Sequence, residues 1–289
     1  MSGDTPTKRS GLTALPVFYS DAMVAATESF SPSAAKPKAV VESWCRLGVP
    51  LEVIPPTPVS SADLVRAHDP AYVDGILSGK VTNGFGNRDL AVAESLPYTS
   101  GSMLTAARAA LLNGLVAVAP CSGFHHAGYD SAGGFCTFNG LMVTALALQA
   151  AGEVARVGIL DFDEHYGDGT DEILTKHGAD WIVHYTAGRD YHDPSQTHEF
   201  LARIPALVSR MRDCDIVLYQ AGADPHIGDP LGGWLTTEQL ADRDSRVFSA
   251  AAALRLPIAW NLAGGYQTPL RKVLDIHDNT LLACAAVYL

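Results

Sequence analysis

Residues 161–169 read DFDEHYGDG and place Asp161, Asp163 and His165 at alternate positions. Alternate side chains of an extended chain face the same way, so two carboxylates and an imidazole project together. Carboxylates gathered away from water need a cation or hydrogen-bond donors to offset their charge. The segment therefore reads as a metal site or as a structural charge cluster. Asp224, in AGADPHIGDP, offers a third oxygen ligand. Catalytic zinc takes three protein ligands and keeps a position for water, although an Asp before Pro225 is equally at home in a turn. His125 and His126 are adjacent. On a strand they would point opposite ways, and facing one site requires an irregular turn, which Gly123 permits. Such a pair can ligate a metal, act as acid and base, or pack as polar filler. Tyr266, after Gly264 and Gly265, can donate to a developing oxyanion or serve structure alone.

The elements that must carry these residues follow from hydrophobic patterning. Short β-branched apolar runs at 16–20, 51–54, 115–119, 157–162, 181–185, 216–220 and 258–262 predict strands. Amphipathic stretches at 35–47, 62–68, 100–113, 141–151, 197–212, 237–254 and 269–287 predict helices. Near-continuous apolar strands alternating with helices read as βαβ units on a buried parallel sheet. Ligands of such sheets bind outside the carboxyl ends of the strands. The runs ending at 119, 160, 220 and 262 lead straight into the polar, Gly-rich segments that hold every residue named above. Four loops are thus expected to converge on one sheet edge.

With 289 residues, 47% of them apolar, the chain fits one α/β domain spanning 1–289, with a flexible polar stretch over the first twelve residues. Five scattered cysteines without CxxC spacing speak against a disulfide framework or a cysteine zinc site, and for a reducing cytoplasm. A net charge of −11 would repel a nucleic-acid backbone. No apolar run approaches the roughly 18 residues of a membrane span. The acidic balance favours cationic partners or is an ordinary solubility device.

Taken in order, GFHHAGYDSAGGFCTFN, DFDEHYGDGT, AGADPHIGDPLG and AGGYQ resemble the motifs of the histone deacetylase-like zinc amidohydrolases, a group that includes acetylpolyamine amidohydrolases and acetoin utilisation proteins. The likeness runs from about Tyr72 to Tyr266. It implies an arginase/deacetylase-like fold with a central, roughly eight-stranded, mainly parallel sheet. It also implies one catalytic Zn²⁺ on Asp163, His165 and Asp224. His125 and His126 would be the acid–base pair, oriented by Asp161 and Asp168, with Tyr266 polarising the substrate carbonyl. Gly134 and Phe135 would line an acyl-lysine tunnel, Leu231 another wall and Tyr191 the second aromatic. The implied reaction is hydrolysis of acetyl-lysine or a related acylated amine by metal-activated water. The alternatives are a small acyl-amide or acetylpolyamine amidohydrolase, or a non-catalytic acyl-binding protein; a ureohydrolase such as arginase fits the His pair and Tyr266 poorly. Two departures stand out. Tyr166 replaces a second histidine common in relatives, with altered packing expected. Ile182, with Thr186 further on, falls where relatives use a hydroxyl to bind potassium, which leaves K⁺ a doubtful second ion. The loop at 81–89 is expected at the entrance, and oligomeric state is open.

Overall fold

The computed structural model describes residues 11–289. Seven parallel strands, β1 (Leu15–Phe18), β2 (Leu51–Ile54), β3 (Val116–Ala119), β4 (Val157–Asp161), β5 (Ile182–Thr186), β6 (Ile216–Gln220) and β7 (Ile258–Asn261), form one sheet in the order β2-β1-β3-β7-β6-β4-β5. Each of the seven apolar runs read from the sequence is one of these strands. The eighth strand implied by the family resemblance is not present among the described residues, because no further apolar run exists to extend either edge.

Side-chain alternation divides the core in two. Val116, Val118, Tyr219 and Trp260 face α1 (Lys36–Trp44), α7 (Thr197–Ser209), α8 (Thr237–Leu254) and α9 (Arg271–Tyr288). Ala117, Ala119, Ile159 and Leu218 face the other layer: α2 (Ser61–Leu64), α3 (Pro70–Leu77), α4 (Leu90–Asn113), α5 (Gly140–Ala150) and α6 (Asp168–His177). Three helices depart from the expectation, of which α3 lies wholly in a segment with no predicted helix. α4 starts ten residues before the predicted 100, capped by Asp89 and carrying Pro97 internally. α6 begins inside the acidic motif itself, with Asp168 in its first turn, where a carboxylate suits the helix dipole. The expected flexible N-terminus lies mostly at residues 1–10, outside the described residues. Leu12, the last of that stretch, is tied down by its N–H donating to Tyr288 O at 2.8 Å.

The strands β3, β7, β6 and β4 are neighbours in the sheet. Their carboxyl-terminal loops therefore stand side by side, and they are the four loops expected to meet.

Candidate active site

Asp163, His165 and Asp224 each offer one ligand atom, all within 4.8 Å of one another. His165 Nδ1 lies 3.4 Å from Asp163 Oδ1 and 3.2 Å from Asp224 Oδ2. Asp224 Oδ2 is fully buried and has no hydrogen-bond partner. Two donors bound tetrahedrally to one zinc at about 2.0–2.1 Å stand roughly 3.3 Å apart, so these spacings fit a zinc ion. Burial and the charge of Asp163 push the Asp224 carboxyl above the ordinary carboxylate range. The Asp163 and Asp224 carboxylates beside its Nδ1 raise the His165 imidazole to about 11. Burial would raise Asp163 as well, but the His125 and His165 charges hold it low. The donor set and its orphaned oxygen fit Zn²⁺.

Two histidine–carboxylate pairs flank this group. His125 Nδ1 is 2.7 Å from Asp161 Oδ2, and His126 Nδ1 is 2.7 Å from Asp168 Oδ1. The two rings lie 4.2 Å apart between centroids. Burial alone would depress His125, but the adjacent Asp161 and Asp163 outweigh it and raise the ring to about 9. His126 goes the other way, lowered by burial and then by the His125 charge. One imidazole is thus held protonated and the other neutral. Tyr266 lines the same pocket as His125, His126, Asp163 and His165. Its phenol is held protonated by burial and by the charges of Asp224 and Asp163.

The wall beside His126 depends on backbone strain. Gly134 and Phe135 both adopt left-handed φ, 51° and 64°. A Cβ on Gly134 would stand 2.3 Å from His126 Cδ2, so only glycine lets this turn approach the ring. For Phe135 the strained φ is held by its N–H donating to Gly84 O at 3.1 Å. Gly84 N in turn donates to Thr137 Oγ1 at 2.9 Å. The 81–89 loop therefore grips the Phe135 turn. Phe135 lies against Tyr266, centroids 5.4 Å apart, and Tyr266 stacks on the exposed Phe30 at 6.3 Å.

Most of the expected site residues come together here. Leu231 stands at the outer rim with His126, His165 and Asp168, its carbonyl 3.3 Å from His165 Nε2. Tyr191 does not join them. It is buried in the core against Phe200 (5.1 Å) and Trp234 (5.9 Å), because its segment turns inward under α7. Tyr166 points outward, donating to Asp171 Oδ2 at 2.5 Å beneath the Arg189 guanidinium. Thr186, not Ile182, is the hydroxyl in register with Asp161, and it accepts Gly167 N–H at 3.1 Å.

Several supporting residues escape sequence reasoning. Lys36 is wholly buried, and its ammonium donates to Ala263 O (2.5 Å) and Gly264 O (3.0 Å). Burial pushes it down to about 8 against the pull of Asp224 and Asp163. Gly264 N–H reaches Asp163 Oδ2 at 3.0 Å, and a Cβ on Gly264 would stand 2.0 Å from Asp224 Oδ2. Arg243, also buried, donates to Phe162 O and Gly222 O, fixing the two segments that carry Asp163 and Asp224. Gln220 donates to Asp161 Oδ1 at 2.9 Å and accepts Phe124 N–H at 3.1 Å. Asp229 accepts Tyr266 N–H at 2.8 Å and Leu231 N–H at 3.0 Å. Gln220 had a signal, a polar residue closing an apolar strand. Lys36 and Arg243 had none, since their partners lie far along the chain.

A parallel sheet that gathers polar groups on the loops beyond the carboxyl ends of its strands places a ligand site there, and comparison with known proteins gives the family. Residues 31–186 match the histone deacetylase domain. An uncharacterized protein of Picosynechococcus sp. is 31% identical over 267 residues, covering 83% of this chain and 87% of its own. Histone deacetylase 2 of Arabidopsis thaliana is 26% identical, covering 78% and 67%. The crystal structure of an acetylpolyamine aminohydrolase from Burkholderia pseudomallei superposes with a TM-score of 0.73 at 19% identity, covering 95% of this chain and 99% of that one. The chain belongs to the histone deacetylase family, with the arginase/deacetylase fold built on seven strands. Among the described residues no helix is long and apolar enough to cross a membrane, and all five cysteines are free.

Proposed function

We propose that this protein is a zinc-dependent deacylase that hydrolyses the amide of an acylated primary amine, such as acyl-lysine or an acylated polyamine. The observation that carries the reading is the convergence of Asp163, His165 and Asp224, with an orphaned buried oxygen, on two histidine–carboxylate pairs and Tyr266. When bound by Asp163, His165 and Asp224, zinc supplies Lewis-acid polarisation of the carbonyl and acidifies the attacking water.

The rest is the work of this chain's own groups. Asp168 holds the Nδ1–H of neutral His126, leaving Nε2 free to take a proton from the attacking water. His126 later returns that proton to the departing nitrogen as the C–N bond breaks, giving a carboxylate and a free amine. His125, kept charged by Asp161, adds fixed positive charge beside the reacting centre. Tyr266 remains a phenol and donates to the oxyanion as the carbonyl carbon becomes tetrahedral.

The test is hydrolysis of a panel of acyl-lysine peptides and acylpolyamines, with and without a chelator. Turnover that the chelator abolishes and added zinc restores is the expected result. No chelator-sensitive turnover on any member of the panel defeats the reading.

A further inference from the structure

The three metal donors are not held alike. The side chains of Asp163 and Asp224 are 3% and 1% exposed, whereas that of His165 is 33% exposed. The two carboxylates are enclosed and met by main-chain donors, Gly264 N–H on Asp163 Oδ2 and Glu164 N–H on Asp224 Oδ1. A part-exposed imidazole has less around it. Metal–donor distances vary by only about 0.2 Å, so the backbone that carries such a ring has to be fixed from outside.

Three pieces of the chain surround the His165 backbone, and all three are fastened to one carboxylate. Asp171, on α6, accepts from the Tyr166 hydroxyl at Oδ2 (2.5 Å) and from His184 Nδ1 at Oδ1 (2.6 Å). Arg189 Nη1 stands 3.5 Å from the same Oδ2, and its guanidinium lies over the Tyr166 ring, 5.6 Å from the centroid. Tyr166 follows His165 directly in the chain. The turn at 187–189 lies backbone to backbone on the metal-binding segment: a Cβ on Gly188 would stand 2.3 Å from His165 C and 2.4 Å from Glu164 O. β5 carries His184 and runs straight into that turn. The His184 ring also backs the far end of the segment, since a Cβ on Gly167 would stand 3.5 Å from its Cε1 and 2.7 Å from Asp161 Oδ2. Its Nε2 is buried without a partner among the described residues, so Asp171 is the polar anchor of the ring.

An acidic residue in the first turn of α6 needs no such partners, because the helix dipole alone favours it there. Asp171 nevertheless turns both oxygens across to other elements, and it does not line the pocket around the metal donors. The geometry points to Asp171 as a positioning residue for His165. By clamping Tyr166, β5 and the 187–189 turn to α6, it fixes the backbone from which the most exposed donor reaches the metal. The clamp thereby sets how long zinc is retained. This rests on the zinc site of the reading above and adds to it the group that governs release of the metal.

The experiment follows zinc release from the zinc-loaded full-length protein to a chromogenic chelator, without denaturant. Asp171→Asn withdraws the charge and an acceptor, and is expected to release zinc at least about tenfold faster than wild type, the low end of what losing a ligand-orienting group costs. Tyr166→Phe removes one hydrogen bond and is expected to accelerate release about threefold. With cobalt in place of zinc, the visible d–d bands of Asp171→Asn are expected to shift as the His165 donor changes its angle at the metal. Arg108→Ala, which breaks the ion pair with Glu153 between α4 and the end of α5, is the control and is expected to keep the wild-type rate. Should Asp171→Asn fail to fold by circular dichroism, Tyr166→Phe decides. A wild-type release rate in either folded variant, unshifted cobalt bands in folded Asp171→Asn, or an equal acceleration in Arg108→Ala overturns the clamp while the zinc site stands. A wild-type protein that takes up no zinc overturns both.

Discussion

The floor and the rim of the site are built from similar residues under opposite conditions. On the floor, Asp161 is completely buried and its carboxylate is met by His125, Gln220 and the Asp163 N–H. At the rim, Asp168 is 61% exposed and His126 is its side-chain partner. Both are His–Asp pairs at 2.7 Å, yet the floor fixes a charged imidazole and the rim a neutral one. Burial among carboxylates decides the first. Burial without enough of them, next to a charged neighbour, decides the second. A hydrogen-bond length alone does not specify a role; the surrounding charges do.

The comparison can be broken in several ways. The largest effect belongs to the floor's metal donors. Asp163→Ala and Asp224→Ala are each expected to reduce zinc content from near one per chain to near none, and activity by at least about a thousandfold. Metal analysis of the purified variants checks this. Full zinc retention in either variant would show that the donors are misassigned. Tyr266→Phe should lower kcat about 10²–10³-fold with zinc content unchanged. Normal turnover in that variant would remove Tyr266 from the oxyanion role.

The next test separates the two pairs. Asp161→Asn is expected to cost roughly 100-fold in kcat/KM, and Asp168→Asn nearer 10-fold, because water can replace part of what the exposed carboxylate does. Equal losses would show that burial does not distinguish floor from rim. Lys36→Met should destabilise the fold by about 1–3 kcal/mol, read from urea midpoints, by leaving Ala263 O and Gly264 O unsatisfied. An unchanged midpoint would mean those carbonyls find other donors.

The smallest effect is a pH dependence under the rim. His68 Nδ1 lies 2.8 Å from Gly128 O while its Nε2 accepts Asn139 N–H at 2.9 Å, an arrangement that requires the neutral ring. Burial lowers it to about 4 from the ordinary 6.5. The unfolded chain therefore takes up this proton first as pH falls. The contribution is complete above pH 6.5 and is lost between 6.5 and about 4. His68→Gln should flatten the stability–pH slope in that window by about one proton. A slope identical to wild type would exclude His68 as its source.

The sequence carried the strands and the chemistry further than the supports. All seven strands were visible as apolar runs, most plainly the central four, β3, β4, β6 and β7, which are buried on both faces and have no polar alternation to hide them. Asp161, Asp163 and His165 were legible because a period of two fixes their common direction. Helices α3 and α6 were missed: α3 begins at Pro70 and α6 at Asp168, each inside a segment that reads as motif or loop, although Asp69, whose side chain accepts Ala71 and Tyr72 N–H, is an ordinary N-cap signal. Tyr191 was misplaced because an aromatic beside a Gly-rich loop looks the same facing a ligand or facing a core. The buried cations were invisible for a different reason. Neither Lys36 nor Arg243 belongs to a local pattern, and only the folded chain shows which carbonyls they reach.

The Lys36–Gly264 hydrogen bond joins residues 228 positions apart. That separation sets an order of events during synthesis. The ribosome delivers Asp163 and Asp224 well before Gly264, whose N–H completes the surroundings of Asp163. Until β7 and the turn after it have emerged, Asp163 lacks the Gly264 amide and the Lys36 ammonium lacks the carbonyls it binds. The amide that completes the surroundings of Asp163 is therefore supplied only by the turn after the last strand to join the sheet.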